Sequence, residues 1–286
     1  MASNAYPIGD AMHFADINHN FMLDSNFYPN FQEDLQKFRT QVKQQVENKK
    51  SATYIHFGDG DGHFLQCNPV GSACPGRRAL SKPYSQLDME RYRKGFLNNT
   101  YICVEKFEPF TYNFYTQIFQ RPVDIHTEFI YGSVADRWFT REFRGKIGLI
   151  GAKEKLDLIE KLLEHKEYQD YLGLESFEDY IYVPQRFACD DLDATCDMVK
   201  QQLTSATSDI FLFGVGHVKS GLVQYFPDWK LGVYIDVGSG IDALAGIIDP
   251  FRPYMYTWKN HRVRGYPYQN LDYLQYSPNG QEITLE

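Results

Sequence analysis

The pattern of hydrophobic and polar positions predicts helices and short buried strands that alternate along most of the chain. Between residues 31 and 46 apolar side chains recur at spacings of three and four, which indicates a helix packed along one face. Residues 153–164 repeat this pattern around Leu156, Ile159 and Leu162. Further helices are predicted over 85–96, 110–119, 190–203 and from Val218 to Phe226. Short apolar runs between them predict strands at 54–57, 101–104, 146–150, 180–183, 210–213 and 233–235.

Alternating strands and helices favour right-handed crossovers and a mostly parallel sheet. The sequence therefore predicts an α/β fold, a single Rossmann-like doubly wound sheet with flanking helices. We expect this domain to span residues 31–258, after an irregular N-terminal arm over 1–30 and before a C-terminal tail over 259–286 that packs on it. In such folds ligands bind beyond the carboxyl ends of the strands, so residues that follow strands are the candidates for function.

One such stretch, residues 54–65, reads Y-I-H-F-G-D-G-D-G-H-F-L. Asp59 and Asp61 stand one residue apart, so on a strand or in a glycine-rich turn we expect both carboxylates to reach one divalent cation. Gly58 and Gly60 would let the backbone approach a ligand closely. An ordinary Asp-Gly turn remains the alternative interpretation, because these residues form turns for purely structural reasons.

A second glycine-rich stretch follows the strand predicted at 210–213. Gly214 and Gly216 precede a predicted helix, whose N-terminal N–H groups would present partial positive charge to a phosphate. His217 and Lys219 would reinforce such a site. A tight strand-to-helix turn explains the same pattern without a ligand.

Acidic residues after the other strands complete the set of candidates. Asp236 ends a strand, where a dinucleotide fold uses a carboxylate to bind ribose hydroxyls. Asp242 is either a site residue or the N-cap of a helix. Candidates for a general base or an acceptor clamp are Glu105, Asp124, His126, Glu128 and Asp242.

The net charge of −8 argues against sequence-independent nucleic-acid binding, which requires many cations against phosphates. The N-terminus shows no signal-peptide pattern, and no apolar run is long enough to span a bilayer. From these features we expect a cytoplasmic protein without a transmembrane segment.

Several stretches, in order, resemble the GT-D-type glycosyltransferases, a Rossmann-like family of bacterial origin. The family's R-F-G-D-G-E motif is similar to H-F-G-D-G-D here, with His56 in place of the arginine. The family's V-E-G-x-x-x-R-x-G-x-G-N-D loop is replaced by I-G-A-K-E-K after Ile150. The remaining similar segments are 120–122 (the family's S-R-P), 183–191, 210–221 and 235–242.

The resemblance implies a metal-dependent glycosyltransferase that moves a sugar from a nucleotide-sugar, most simply a UDP-sugar, to a hydroxyl of a glycan or glycoprotein. Asp59 and Asp61 would hold Mn²⁺ or Mg²⁺ and, with Asp242, form the catalytic set. Residues expected to bind the donor are Gly58, Gly60, Arg121, Gly214, Gly216, His217, Lys219 and Asp236.

Two other functions remain open from the residues alone. A methyltransferase that uses S-adenosylmethionine also has a glycine-rich turn after its first strand, and Glu105 would then bind the ribose. A non-catalytic module that binds nucleotides or carbohydrates would keep the fold without the reaction.

Overall fold

A computed structural model describes residues 30–67, 80–105, 109–120, 122–247 and 261–271. Three predictions therefore fall wholly or largely outside the described residues: the N-terminal arm, the donor-binding role of Arg121 and most of the C-terminal tail.

Seven strands and twelve α-helices follow one another along the described chain. The strands are β1 (Ala52–Phe57), β2 (Tyr101–Val104), β3 (Ile125–His126), β4 (Ile147–Ala152), β5 (Asp179–Val183), β6 (Ile210–Gly214) and β7 (Val233–Asp236). The helices are α1 (Phe31–Glu47), α2 (Asp59–Leu65), α3 (Met89–Leu97), α4 (Pro109–Phe119), α5 (Thr127–Ala135), α6 (Trp138–Glu142), α7 (Lys153–Leu163), α8 (Lys166–Leu172), α9 (Leu192–Thr204), α10 (Lys219–Leu222), α11 (Phe226–Trp229) and α12 (Gly240–Leu244).

The strands form one sheet in the order β3-β2-β1-β7-β6-β4-β5, and every neighbouring pair is parallel. This confirms the predicted α/β Rossmann-like fold. All six residues of β1 and of β4 are buried, as parallel strands covered on both faces must be.

Two hydrophobic cores, one on each face of the sheet, hold the helices in place. Successive strand residues point to opposite faces, so Tyr54 and Ile235 enter one core while Ile55 and Tyr234 enter the other. The first core contains the buried faces of α1, α5, α6, α7, α8 and α12, and the second those of α2, α3, α4, α9, α10 and α11.

The chain changes face in the middle of the sheet. Connections towards β3 run over the second core, whereas β4 is followed by α7 and α8 on the first core. The neighbouring strands β6 and β4 therefore send their chains to opposite faces, and so do β6 and β7. Such a topological switch point leaves a crevice at the carboxyl ends of the strands, where ligands bind in open α/β sheets.

Three local predictions are wrong. Residues 59–65 form α2 rather than a turn. The helix predicted over 85–96 begins only at Met89, where Asp88 caps it by accepting the N–H of Arg91. The helix expected from Val218 to Phe226 is broken into short 3₁₀ and α segments between residues 216 and 229. Helix α5, buried nearly all round, was missed because its sequence has no polar face.

In the described part of the tail, the Tyr268 hydroxyl donates a hydrogen bond of 2.9 Å to the carbonyl of Ala245, just after α12. Among the described helices, none combines the length and the apolar character needed to cross a membrane.

Candidate functional site

A cavity of about 290 Å³ lies at the switch point, beyond the carboxyl ends of β4, β5, β6 and β7. Six of the residues singled out in the sequence line it together: Gly214, Gly216, His217, Lys219, Asp236 and Asp242. They come from two separate stretches of the chain, which the sheet order places side by side. Lys155, at the start of α7, also lines the cavity and was not singled out.

A buried cluster of charges joins the cavity to β1. The ammonium of Lys219 lies 2.9 Å from Oδ2 of Asp61 and 3.0 Å from Oδ2 of Asp236. Asp236 also accepts the backbone N–H groups of His56 and Gly238 through its two oxygens, so the protein itself satisfies this carboxylate. Its predicted role in binding ribose stays a prediction.

The environment moves the pKa values of all three groups. Burial favours protonated Asp61, but the Lys219 ammonium and the hydrogen bond to His217 outweigh burial and hold its pKa well below the usual range. Burial alone would lower the pKa of Lys219, yet Asp236 and Asp61 raise it. Burial raises the pKa of Asp236 against the opposing effect of Lys219. Lys219 and Asp61 therefore form a charged pair at neutral pH.

Asp61 is also held in place by its own helix, α2, and by His217. It stands at the third position of α2, and its Oδ2 accepts the N–H of Gly58, the N-cap residue, at 2.9 Å. Its Oδ1 lies 3.4 Å from Nδ1 of His217. Gly60 leaves room for this arrangement, because a Cβ there would come within 3.2 Å of the His217 ring.

The helical conformation separates the two carboxylates that the D-x-D spacing was expected to bring together. Residues two apart on a helix point in different directions, and Asp59 is exposed while Asp61 is buried. No group of three or more metal-ligating side chains occurs within the described ranges. The described residues thus form no ready-made cage for a cation, although Mg²⁺ commonly binds through one or two carboxylates plus substrate phosphates.

The turn after β6 has the close packing that its glycines predict. A Cβ on Gly214 would lie 2.5 Å from the carbonyl oxygen of Gly238, so the turns after β6 and β7 touch through bare backbone. Gly216 adopts φ +64°, in the left-handed region. The expected helix dipole is weak here, because a three-residue 3₁₀ segment and the four-residue α10 replace a continuous helix.

A second ion pair lines the same cavity: Nζ of Lys155 lies 2.5 Å from Oδ1 of Asp242, and both side chains are largely buried. Asp242 belongs to α12 itself, so the alternative of an N-cap is wrong. The sequence analysis did not select Lys155. Its spacing of three and seven residues from Leu158 and Leu162 places it on the buried face of α7, and a lysine at such a position could have been noticed in the sequence.

The remaining candidates lie outside the cavity wall. Glu105 Oε1 is 3.7 Å from His56 Nε2, and His56 Nδ1 is 3.4 Å from the hydroxyl of Tyr131. Asp124 accepts the backbone N–H of Ile102 and so supports the sheet. His126 ends β3, and Glu128 is buried in the first turn of α5.

Comparison of the chain with protein-family models, with curated proteins and with solved structures finds no match in any of the three. The resemblance to the GT-D-type glycosyltransferases therefore rests on the sequence motifs alone.

Proposed function

We propose that this protein is a glycosyltransferase that moves a sugar from a nucleotide-sugar donor, with UDP as the expected nucleotide, to a hydroxyl of a glycan or glycoprotein. The observation that carries the proposal is the cavity at the switch point of the parallel sheet. Its wall combines two lysines, a glycine-rich turn and acidic side chains, and it lies where open α/β sheets bind nucleotides. The ordered motifs shared with the GT-D-type family support the same reaction.

The charge of the wall bears on the proposed need for a metal. Lys155 and Lys219 are balanced by Asp236 and Asp242, and Asp61 adds a further carboxylate behind them. Among the described residues of the wall, a diphosphate would meet no excess of lysine over carboxylate charge. We therefore expect Mn²⁺ or Mg²⁺ to accompany the donor and to be bound mainly by its phosphates. Exposed Asp59 is the proposed protein ligand, and buried Asp61 orients the site through Lys219 and His217. When bound, the ion would stabilise negative charge on the departing diphosphate.

The first test is a thermal-shift titration with UDP, several UDP-sugars, GDP and S-adenosylmethionine, each with and without Mn²⁺. A ligand that binds only the folded protein, at a hundredfold excess over Kd, stabilises it by about 2.7 kcal/mol. We expect a shift with UDP that requires Mn²⁺ and is weakened in Asp59→Asn. Asp157→Asn, which changes a partly exposed carboxylate on α7, is the matched control and should keep the full shift.

Other outcomes would point to the other functions. A shift with S-adenosylmethionine that needs no metal would contradict the proposal and favour a methyltransferase. Metal-dependent binding of UDP-sugars without release of UDP, across a panel of glycan acceptors, would indicate a binding module.

A further inference from the structure

The two lysines of the cavity wall are held in different ways. Lys219 contacts two carboxylates, those of Asp61 and Asp236, and its side chain is 7% exposed. Lys155 is paired with the single carboxylate of Asp242, and its side chain is 11% exposed. Both belong to the same wall, but they enter it from opposite faces of the sheet.

This difference decides which lysine can turn to an incoming anion. Movement of Lys219 would leave two buried carboxylates without their shared cation, and a buried charge that loses its partner is strongly destabilising. Movement of Lys155 would uncover only Asp242, and the anion would take over the neutralisation of the ammonium. Lys219 is therefore a fixed part of the site, whereas movement of Lys155 breaks one buried pair instead of two and so costs less.

We propose that Lys155 is the anion-binding residue of the cavity and that it exchanges Asp242 for the diphosphate of the bound nucleotide. Asp242 then acts as a built-in competitor, which lowers the affinity for the diphosphate and favours its release. The identity of the anion as a nucleotide diphosphate rests on the proposed function. The exchange itself rests on the ion pair and its place in the wall.

The test measures Kd by calorimetry for UDP and for inorganic pyrophosphate, each with and without Mg²⁺, on the full chain. Lys155→Met should raise Kd roughly 10- to 100-fold, as expected for loss of a hydrogen bond to a charged group. Asp242→Asn should lower Kd, because the competing charge is gone. Lys153→Met removes an exposed lysine two positions away, whose partner is Asp157, and should leave Kd unchanged.

Lys155→Met alone removes the ammonium that is paired with the buried carboxylate of Asp242, so the double variant Lys155→Met/Asp242→Asn provides a second measurement. Compared with Asp242→Asn, the double variant differs only in the lysine, and it leaves no Asp242 carboxylate beside the lost ammonium. We expect it to bind as weakly as Lys155→Met. Equal affinity of the double variant and Asp242→Asn, or weaker binding by Asp242→Asn than by the wild type, would overturn the proposal.

The two ligands separate this inference from the proposed function. Binding of pyrophosphate that depends on Lys155, with no preference for UDP, would support the exchange and contradict the glycosyltransferase. Tight UDP binding with the same Kd in the wild type and in Lys155→Met would contradict the exchange and support the proposed glycosyltransferase. Absence of binding by either ligand to the wild type would overturn both.

Discussion

The ammonium of Lys219 lies 2.9 Å from Oδ2 of Asp61, although five of the seven strands, β2 to β6, lie between the two residues in the sequence. Asp61 comes from the helix after β1 and Lys219 from the segment after β6, and Asp236 at the end of β7 joins them. One cation thus ties together the carboxyl ends of three strands beside the cavity.

Replacement of Lys219 should test how far the fold depends on this cation. Lys219→Met strands two buried carboxylates, so we expect the free energy of unfolding in urea to fall by about 3–5 kcal/mol. Lys166→Met, which removes an exposed lysine paired with Asp170, should change it by less than about 1 kcal/mol. A loss below about 1 kcal/mol in Lys219→Met would show that the cluster does not hold the strands together.

Variants of the two aspartates of the D-x-D sequence should differ in their effect on stability but not in their effect on turnover. Under the proposed function, Asp59→Asn and Asp61→Asn should each reduce transfer roughly 100- to 1000-fold, measured as UDP release. Only Asp61→Asn should also lower the free energy of unfolding, by about 1–3 kcal/mol, because its carboxylate is buried and accepts the Gly58 N–H. Full turnover in Asp59→Asn with Mn²⁺ present would argue against a role for this residue in metal binding.

The depressed pKa of Asp61 predicts a defined acid dependence of stability. A carboxylate whose pKa is lower in the folded state stabilises the protein above its unfolded pKa, which is about 4, and loses that contribution as pH falls through the folded value. The difference in unfolding free energy between the wild type and Asp61→Asn should therefore be constant from pH 7 to pH 5 and shrink below pH 4. A difference that grows on acidification would contradict the assignment.

The contact between Gly214, the last residue of β6, and Gly238 predicts that this end of the strand tolerates no side chain. A Cβ on Gly214 would meet a backbone oxygen at 2.5 Å, so Gly214→Ala should cost about 1–3 kcal/mol of stability and weaken UDP binding. Gly151→Ala is the matched control, because Gly151 pairs with Gly214 across β4 and β6 and its Cβ would meet neighbours only at 3.4 Å or more. Equal effects of the two variants on binding would show that the turn does not shape the cavity.

The sequence by itself determined the helices and strands whose buried positions recur at a regular spacing along the chain. The amphipathic pattern of Phe31, Leu35 and Val42 predicted α1, and the apolar runs predicted all strands except the two-residue β3. These patterns are readable because burial on one face, or on both faces of a parallel strand, imposes a regular spacing. The alternation of strands and helices was then enough to predict the α/β class.

Only the tertiary structure decided the site. The ion pairs of Asp61 with Lys219 and of Lys155 with Asp242 join residues that are far apart in sequence, and no local pattern encodes such a pairing. The order of the strands placed them, because β7 inserts between β1 and β6 and brings three strand ends to one crevice. Packing also decided that residues 59–65 wind into a helix, so that Asp61 turns inward to a lysine while Asp59 faces solvent.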